Sequence, residues 1–414
     1  MKTTLTTVFI VSLIFVMSCS NDDSEVTTAP PVVTPPVVIP PIIETLTKLN
    51  VKTFMVDENA TTETIALFYN LKTLSRTKFA VGQQDAFNGF YKNVSGNSDI
   101  KKTTGHDPAL LGSDFIFITD KNNDGTPNNW FYQQEVNTIN QVKQAYNTGL
   151  INIFSWHIRE PYNEEVFYVS DMTATQKANA FKSILPGGAN HEWYKKKLDK
   201  VASVFNNLKG TNNELIPVIF RPFHEYDGSW FWWGANFCTA EEFKTAFKFT
   251  VDYLKDTKGV HNVLYSLGPD NSYDTQEKYL SRYPGDEYVD VLGMDNYWDL
   301  RSGTGQAGSD LANKKLKVIS DLAITKVKIA AMTETGYQIT PSNTPVSGWF
   351  SKYIYNALTA NDIEIAFVMF WSNSGDSYFV PAPSCTNAGD FIDFTNTPEA
   401  LLQNELPNMY SIPE

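Results

Sequence analysis

Basic charge, long apolar segments and cysteine are all scarce in this sequence. It carries 33 lysines and arginines against 46 aspartates and glutamates, a formal net charge of −13 in 414 residues. This acidic balance excludes nucleic acid from the expected partners. Beyond the N-terminus, no apolar stretch is long enough to span a bilayer. Of the three cysteines, Cys238 and Cys385 lie in the body of the chain. They could form a disulfide outside the cytoplasm or remain two buried free thiols, and the sequence leaves both alternatives open.

The N-terminus has the pattern of an export signal followed by a lipid-attachment site. Lys2 precedes a short apolar run at residues 8–16, and the small residue Ser18 stands directly before Cys19. This pattern predicts a signal peptide over residues 1–18 and lipidation of Cys19, with a plain secretory peptide as the alternative.

The residues after Cys19 predict where the anchor is displayed. The acidic run at residues 20–23 resembles the signals that send lipoproteins of the Bacteroides group to the outer surface. We therefore expect attachment to the bacterial outer membrane through this lipid alone, on the cell surface or on the periplasmic face. Residues 30–41 repeat Pro-Pro-Val-Val and favour polyproline II, a spacer of about 37 Å at ~3.1 Å per residue. Residues 19–44 are thus predicted to be a lipidated linker.

From residue 45 to residue 414, short apolar runs alternate with amphipathic helical patterns. The length suits one large α/β barrel, and no internal boundary is visible after the linker. Eight runs are predicted as strands, namely residues 78–81, 115–118, 151–154, 217–220, 263–265, 289–292, 328–331 and 365–370. Eight strands alternating with helices predict a single catalytic domain with the (β/α)8 TIM-barrel fold.

Polar and aromatic side chains follow most of these predicted strands, where the active sites of such barrels lie. The densest group is Arg-Pro-Phe-His-Glu at residues 221–225, followed by four consecutive aromatic residues at 230–233. Rings stack on the apolar faces of sugars, and a carboxyl in an apolar setting keeps the proton that an acid needs. Glu225 and Glu334, after strands four and seven, are predicted to face each other. Glu225 is then the acid/base and Glu334 the nucleophile of a retaining glycosidase, with Tyr297 and Arg221 keeping Glu334 ionised.

Three other motifs each lack a residue or a spacing that their function requires, so we predict no cofactor and no metal. Residues 120–125 begin like a calcium loop, but Phe131 occupies the position of the bidentate glutamate. The glycines at residues 303–308 are separated from the preceding strand, which favours a flexible loop over a dinucleotide site. Gly228 stands where a zinc motif starting at His224 needs its second histidine.

Together these residues resemble glycoside hydrolase family 26. The matching segments are residues 82–85, 105–109, 112–114, 155–157, 221–225, 229–234, 333–336 and 370–371, together with Tyr297. The resemblance implies an endo-β-1,4-mannanase that acts on mannan, galactomannan or glucomannan. It places Glu225 as acid/base and Glu334 as nucleophile, and it implies that His157, His224, Trp230, Tyr297 and Trp371 contact the sugars. We expect a monomer, because the chain closes one barrel and shows no coiled-coil pattern.

Some features depart from the relatives or leave the function open. Most members of the wider clan carry Asn where this chain has His224, and residues 158–160 (Ile-Arg-Glu) are more charged than the usual segment. An end-acting enzyme that releases mannobiose, and a β-glucanase or xylanase on the same scaffold, are therefore alternatives. A non-catalytic glycan-binding lipoprotein is a third, although it would have no need of both Glu225 and Glu334.

Overall fold

Parallel strands that close on themselves form the centre of the molecule in the computed structural model, which describes residues 45–413. Strands β1 to β8 are Phe79–Gln84, Leu110–Asp114, Ile151–Ser155, Val218–Arg221, Val263–Leu267, Val291–Asn296, Ile329–Thr335 and Phe367–Phe370. Each strand pairs in parallel with the next, and β8 pairs with β1. A short ninth strand, β9 (Ala400–Leu401), is added beside β1. This is the predicted (β/α)8 barrel, in one domain.

Helices surround the strands and connect them. They are α1 (Thr62–Leu74), α2 (Asp99–Thr104), α3 (Trp130–Asn147), α4 (Ala174–Ile184), α5 (His191–Asn207), α6 (Ala240–Asp252), α7 (Gln276–Leu280), α8 (Gly305–Lys326), α9 (Tyr355–Thr359) and α10 (Ala388–Thr395). A π-helical turn, Tyr253–Thr257, extends α6, and another, Trp349–Ile354, precedes α9. In residues 45–413, no helix combines the length and the apolar character that crossing a bilayer requires.

Helix α1 closes the end of the barrel opposite the predicted site. Thr61 caps its first turn by accepting a hydrogen bond from the backbone N–H of Thr64, which satisfies a donor that the helix leaves free. Its buried side chains Leu67 and Phe68 share one apolar cluster with residues of several strands, among them Ile219 and Ile329. The N-terminal end of the barrel is therefore packed with hydrocarbon, and the polar residues lie at the other end.

The prediction of the second strand was wrong. Residues 115–118 form a turn in which Phe115 and Ile118 are buried, and the strand is Leu110–Asp114. Gly112 is required there because a Cβ atom would lie 2.2 Å from the Gln84 side chain. The apolar run that resembled a strand is buried for another reason, since Phe115 packs on Phe154 with ring centroids 4.6 Å apart.

Two further expectations are resolved by the structure. The glycine-rich segment predicted to be a flexible loop is in fact helical from Gly305 onward, as the start of α8. Within the described residues, Cys238 and Cys385 are both free thiols, which excludes the disulfide; Cys238 is buried as the other alternative expected, whereas Cys385 is partly exposed. The predicted signal peptide, Cys19 and the proline-rich linker at residues 19–44 all lie outside the described residues.

Candidate active site

The predicted site residues converge at the C-terminal ends of the strands. His157 follows β3, His224 and Glu225 follow β4, and Tyr297 follows β6. Glu334 is the second-last residue of β7, and Trp371 directly follows β8. The rings of His157 and Trp371 lie 6.0 Å apart, so residues from opposite parts of the sequence share one cleft.

A strained turn after β4 presents His224 and Glu225 to the cleft. Phe223 and Glu225 have φ angles of 56° and 52°, a left-handed conformation that residues with side chains seldom adopt. The backbone N–H of Glu225 donates to Gly268 O at 2.7 Å, and the Trp233 indole donates to His224 O at 2.7 Å. These bonds hold a backbone shape that the sequence alone would not favour.

Three carboxyl groups meet around one guanidinium at the centre of the site. Glu225, Asp295 and Glu334 each have an oxygen within 4.8 Å of the others. Arg221 contacts both oxygens of Asp295, at 2.7 and 2.6 Å, and Glu334 Oε1 at 3.0 Å. Tyr297 donates to Glu334 Oε2 at 3.1 Å. Glu334 is thus hydrogen-bonded by the two donors that the sequence analysis named for it.

Glu225 has a different environment from Glu334. Burial, followed by the negative charge of Glu334, raises the pKa of Glu225 well above its usual range. The Trp230 indole donates to Glu225 Oε2 at 2.5 Å and acts in the opposite direction. A carboxyl in this setting keeps its proton near neutral pH, as a general acid requires.

A chain of hydrogen bonds links Asp114, His157 and His224, and we call these three residues the histidine wall. Asp114 Oδ2 lies 2.5 Å from His157 Nδ1, and the Nε2 atoms of the two histidines are 3.2 Å apart. Burial lowers the pKa of His224 well below its usual value, and the charge of His157 adds to this. Burial alone would lower the pKa of His157, but Asp114 outweighs it and raises this pKa.

These opposite shifts assign the proton on the wall. The shifts favour protonation of His157 over His224, and a doubly protonated His157 is able to donate its Nε2 hydrogen to His224. Asp85 lies beside the wall, where burial and then the charge of Asp114 raise its pKa to about 7.

Only part of the aromatic run after β4 faces the cleft. Phe231, Trp232 and Trp233 are buried, so the stacking on sugars suggested for this aromatic run was wrong for these three rings, and Trp230, the one named as a sugar contact, is the exception. Their packing explains this, because Trp233 stacks on Phe231 at 4.4 Å and Phe231 supports the rings of both wall histidines. Trp230 alone lines the open cavity.

The carboxyl trio is the one cluster of metal-ligating side chains found in residues 45–413. Arg221 already contacts oxygens of Asp295 and Glu334, so a guanidinium cation occupies the position between two of the three carboxyl groups. The acidic segment at residues 120–124 forms turns closed by its own carboxylates, since Asp120 accepts from the N–H of Asn122 and Asp124 from that of Thr126.

Sequence reasoning gave no role to Asp114, Asp295 or Asp270, which all lie near Glu225 or the wall. Asp114 and Asp295 each end a strand, which was the available signal. Their partners come from other strands, so the pattern along the chain could not assign them. Asp270 lies in a loop beyond β5 and carries no such signal.

Comparison with known proteins places this site in a family. The sequence profile of glycosyl hydrolase family 26 matches residues 56–352. The solved structure of GH26C from Muricauda sp. MAR_2010_75 has a TM-score of 0.87 and is 54% identical, covering 88% of this chain and 98% of that one. A modular endo-beta-1,4-mannanase from Cellulomonas fimi has a TM-score of 0.78 and 30% identity, over 86% of this chain and 79% of that one.

A curated relative gives a similar result over a smaller share of its length. The mannan endo-1,4-beta-mannosidase of Bifidobacterium adolescentis is 32% identical over 84% of this chain and 37% of its own. This chain spans 35 to 58% of the length of the curated mannan endo-1,4-beta-mannosidases that it matches.

Proposed function

Because the chain belongs to glycosyl hydrolase family 26, we propose that it is an endo-β-1,4-mannanase that cleaves internal mannosidic bonds with retention of configuration. The observation that carries this proposal is the carboxyl pair Glu225 and Glu334, with oxygens within 4.8 Å of each other. Retaining glycosidases place their two carboxyl groups about 5–5.5 Å apart, whereas inverting enzymes leave room for a water between them. The relatives named as mannan endo-1,4-beta-mannosidases supply the substrate class.

The surroundings of the two carboxyl groups assign their roles. Glu334, hydrogen-bonded by Arg221 and Tyr297, is stabilised as a carboxylate and attacks the anomeric carbon. Glu225, whose pKa is raised, donates its proton to the departing oxygen as the bond from that oxygen to the anomeric carbon breaks.

The second step restores both groups. The first step leaves a glycosyl ester on Glu334 and a carboxylate on Glu225. Glu225 then takes a proton from a water molecule, whose oxygen attacks the anomeric carbon and releases Glu334 as a carboxylate. Two inversions at the same carbon give net retention.

The histidine wall supports recognition of the sugar at the cleavage point. Mannose differs from glucose by an axial 2-hydroxyl, and His157 and His224 provide ring nitrogens near the carboxyl trio for it or its neighbours. Trp371 lies against His157 and supplies a ring for a sugar face, and Trp230 does so beside Glu225.

A product time course on soluble β-mannan, β-glucan and xylan tests the proposal. We expect a fast fall in the viscosity of mannan with mixed oligosaccharides, and a β-anomer as the first product by proton NMR. Mannobiose alone from the start favours end-acting cleavage, and turnover of glucan or xylan without mannan favours those enzymes. Binding without any new reducing ends favours the glycan-binding alternative.

We also propose that the protein is a monomer anchored by a lipid on Cys19 to the bacterial outer membrane, facing the cell surface. The support is the apolar run, Ser18 and Cys19 followed by the acidic and proline-rich segments. In cells fed a tagged fatty acid, the wild type is expected to carry the label and Cys19→Ala to lose it. Protease added to intact cells separates the surface from the periplasmic face, and sedimentation of residues 45–414 measures the oligomeric state.

A further inference from the structure

Residues 158–169, which follow β3 and His157, form a loop that is held at both ends by the segment after β4, and we call this loop the strap. The Trp232 indole donates to the carbonyl of the first strap residue at 2.8 Å. At the other end, the N–H of Val169 donates to Trp230 O at 2.8 Å, and the N–H of Trp232 donates to Phe167 O at 3.3 Å. The last strap residues therefore run antiparallel to the segment after β4.

Ion pairs fasten the middle of the strap to neighbouring elements. Arg159 Nε lies 2.6 Å from Asp120 Oδ2, in the segment after β2, and the Arg159 guanidinium also donates to Glu165 O. Because the Asp120 side chain is buried, solvent screens this pair less than a surface pair. Two further pairs join strap carboxylates to lysines outside the strap, namely Glu165 to Lys121 and Glu164 to Lys197 of α5.

These contacts explain two sequence features that the reaction leaves without a role. Arg159 and Glu160 belong to the segment that is more charged than in the relatives, and Asp120 opens the segment that resembled a calcium loop. Glu160 is buried and accepts from the backbone N–H groups of Tyr162, at 2.7 Å, and Asn163, at 2.9 Å. The charges therefore shape the strap and attach it to the barrel.

The strap ends on the residue that contacts the proton donor. Trp230, whose backbone carbonyl is bonded to the strap, donates its indole N–H to Glu225 Oε2 at 2.5 Å. Its ring lies over Gly228, where a Cβ atom would come within 2.4 Å of the ring. Tyr168 of the strap stacks on Phe231, with ring centroids 5.3 Å apart. The position of the indole thus depends on a stretch of backbone that the strap holds in place.

We propose that the charged residues of the strap are positioning residues for the proton donor. Their ion pairs fix the strap against the segment after β4 and so hold the Trp230 indole on Glu225. The positioning residues are Arg159, Glu164 and Glu165, and none of them lines the cavity at Glu225. This inference rests on the proposed function, because Glu225 is the acid of that reaction.

A strap residue could also act on Glu225 through its charge alone, and the sign of the effect separates the two routes. Tyr168 is neutral, because burial, with the charges of Glu225 and Glu334, raises the pKa of its phenol. Loosening the strap weakens the indole bond whichever partner of an ion pair is removed, so the pKa of Glu225 rises. Loss of a distant cation and loss of a distant anion would instead shift this pKa in opposite directions. The charged groups that act on Glu225 all lie outside the strap and are Glu334, Asp295, Asp270 and Arg221.

The test neutralises the two partners of one ion pair separately. Arg159→Gln and Asp120→Asn change the net charge in opposite directions and break the same contact. In both variants we expect the alkaline limb of kcat/KM on mannopentaose to move to higher pH by about 0.3–1 unit, because the acid stays protonated longer. In a Trp230→Phe background neither change should move the limb further, since both act through that indole.

Two more lysine variants complete the test. Lys195→Gln is the matched control, because Lys195 lies on α5 like Lys197 but pairs with Glu192, outside the strap. It should leave the limb in place. Lys197→Gln breaks a second strap pair and should move the limb to higher pH, which keeps the proposal testable if Arg159→Gln does not fold.

Three results would overturn the proposal. They are limb shifts of opposite sign in Arg159→Gln and Asp120→Asn, an unmoved limb in folded variants, and shifts that add to that of Trp230→Phe. A wild-type protein that cleaves no mannan would instead contradict the proposed function, so the two failures are distinguishable.

Discussion

The histidine wall and the cavity of about 730 Å³ lined by Glu225, Trp230, Asp270 and Trp298 lie next to the same proton donor, and their polar groups have different environments. In the wall, hydrogen bonds of 2.5 and 3.2 Å link Asp114, His157 and His224, and among the described residues His224 Nδ1 has no partner. Asp270 and Trp298, in contrast, line the cavity. A wall held in place by its own hydrogen bonds is preorganised for one sugar in one orientation, whereas an open surface tolerates several chain positions. The difference suits an enzyme that demands a particular sugar on one side of the cut and accepts a polymer on the other.

The largest expected effect comes from the nucleophile, which belongs to neither region. Glu334→Ala removes the nucleophile, and we expect kcat on mannan to fall by roughly 10⁴-fold or more, with mannopentaose binding retained. Both sugar-binding regions are left intact, so calorimetric titration should still give a measurable Kd.

Added azide separates a lost nucleophile from a damaged site. A small anion can occupy the space left by the carboxylate and attack the anomeric carbon from the same side. We expect an α-mannosyl azide from a nitrophenyl mannobioside and the Glu334→Ala variant. Unaided turnover close to that of the wild type would refute the assignment of Glu334.

Disrupting the hydrogen bonds of the histidine wall should lower both the activity and the stability of the protein. Asp114→Asn removes the charge that raises the pKa of His157, so this pKa should fall. We expect kcat/KM to fall about 10- to 100-fold on mannopentaose and on the nitrophenyl substrate alike. The free energy of unfolding should fall by about 1.5–3 kcal/mol, as for a hydrogen bond to a charged group.

The pH dependence of this loss has a defined sign. The raised pKa of His157 contributes stability that is present below its unfolded value of about 6.5 and is lost as the pH rises through the folded value. The lowered pKa of Asp114 contributes stability that is present above about 3.9 and is lost as the pH falls through the folded value. Thermal unfolding of wild type and Asp114→Asn should therefore differ most between about pH 4 and pH 6.5. Asp321→Asn, at the exposed pair with Lys317, is the control and should cost less than about 1 kcal/mol.

A smaller change tests the contact between the cavity and the acid. Trp230→Phe keeps a ring but removes the indole N–H that favours the charged form of Glu225. The pKa of Glu225 should rise further, and the alkaline limb of kcat/KM should move to higher pH because the acid stays protonated longer. Trp298 lines the same cavity but makes no hydrogen bond to Glu225, so Trp298→Phe should leave the alkaline limb at the same pH. A limb that moves to lower pH would contradict the role of the indole.

The sequence was sufficient for the barrel because seven of its eight strands are buried apolar runs. It failed at β2, where the barrel interior demands Gly112 and the more apolar neighbouring run is a turn. The sequence pattern reports hydrophobicity along the chain. Whether a segment fits as β2 depends instead on the side chains of β1 and β8 that pack against it.

The site residues also fall into those that the sequence identified and those that it did not. Glu225 and Glu334 were found because each stands at a strand end, and the partners of Glu334 were named correctly. Asp114 was not given a role, because its link to His157 spans 43 residues and two strands. The rings of Phe231, Trp232 and Trp233 were assigned to the wrong environment because a run of aromatics does not show which of them turns inward.

The smallest expected effect concerns the arginine that covers Trp298. The guanidinium carbon of Arg301 lies 3.8 Å from the centroid of the Trp298 ring, and both residues line the cavity. Arg301→Gln keeps a long polar side chain but removes the cation over the ring, an interaction of about 0.5–1 kcal/mol at an exposed position. Because Trp298 then loses part of its fixed orientation, kcat/KM on mannopentaose should fall about two- to fivefold. Arg76→Gln, at the opposite end of the barrel, is the control. A loss of more than about tenfold, which exceeds the interaction removed, would show that Arg301 itself binds the sugar, and the cavity would then resemble the histidine wall in using a charge for recognition.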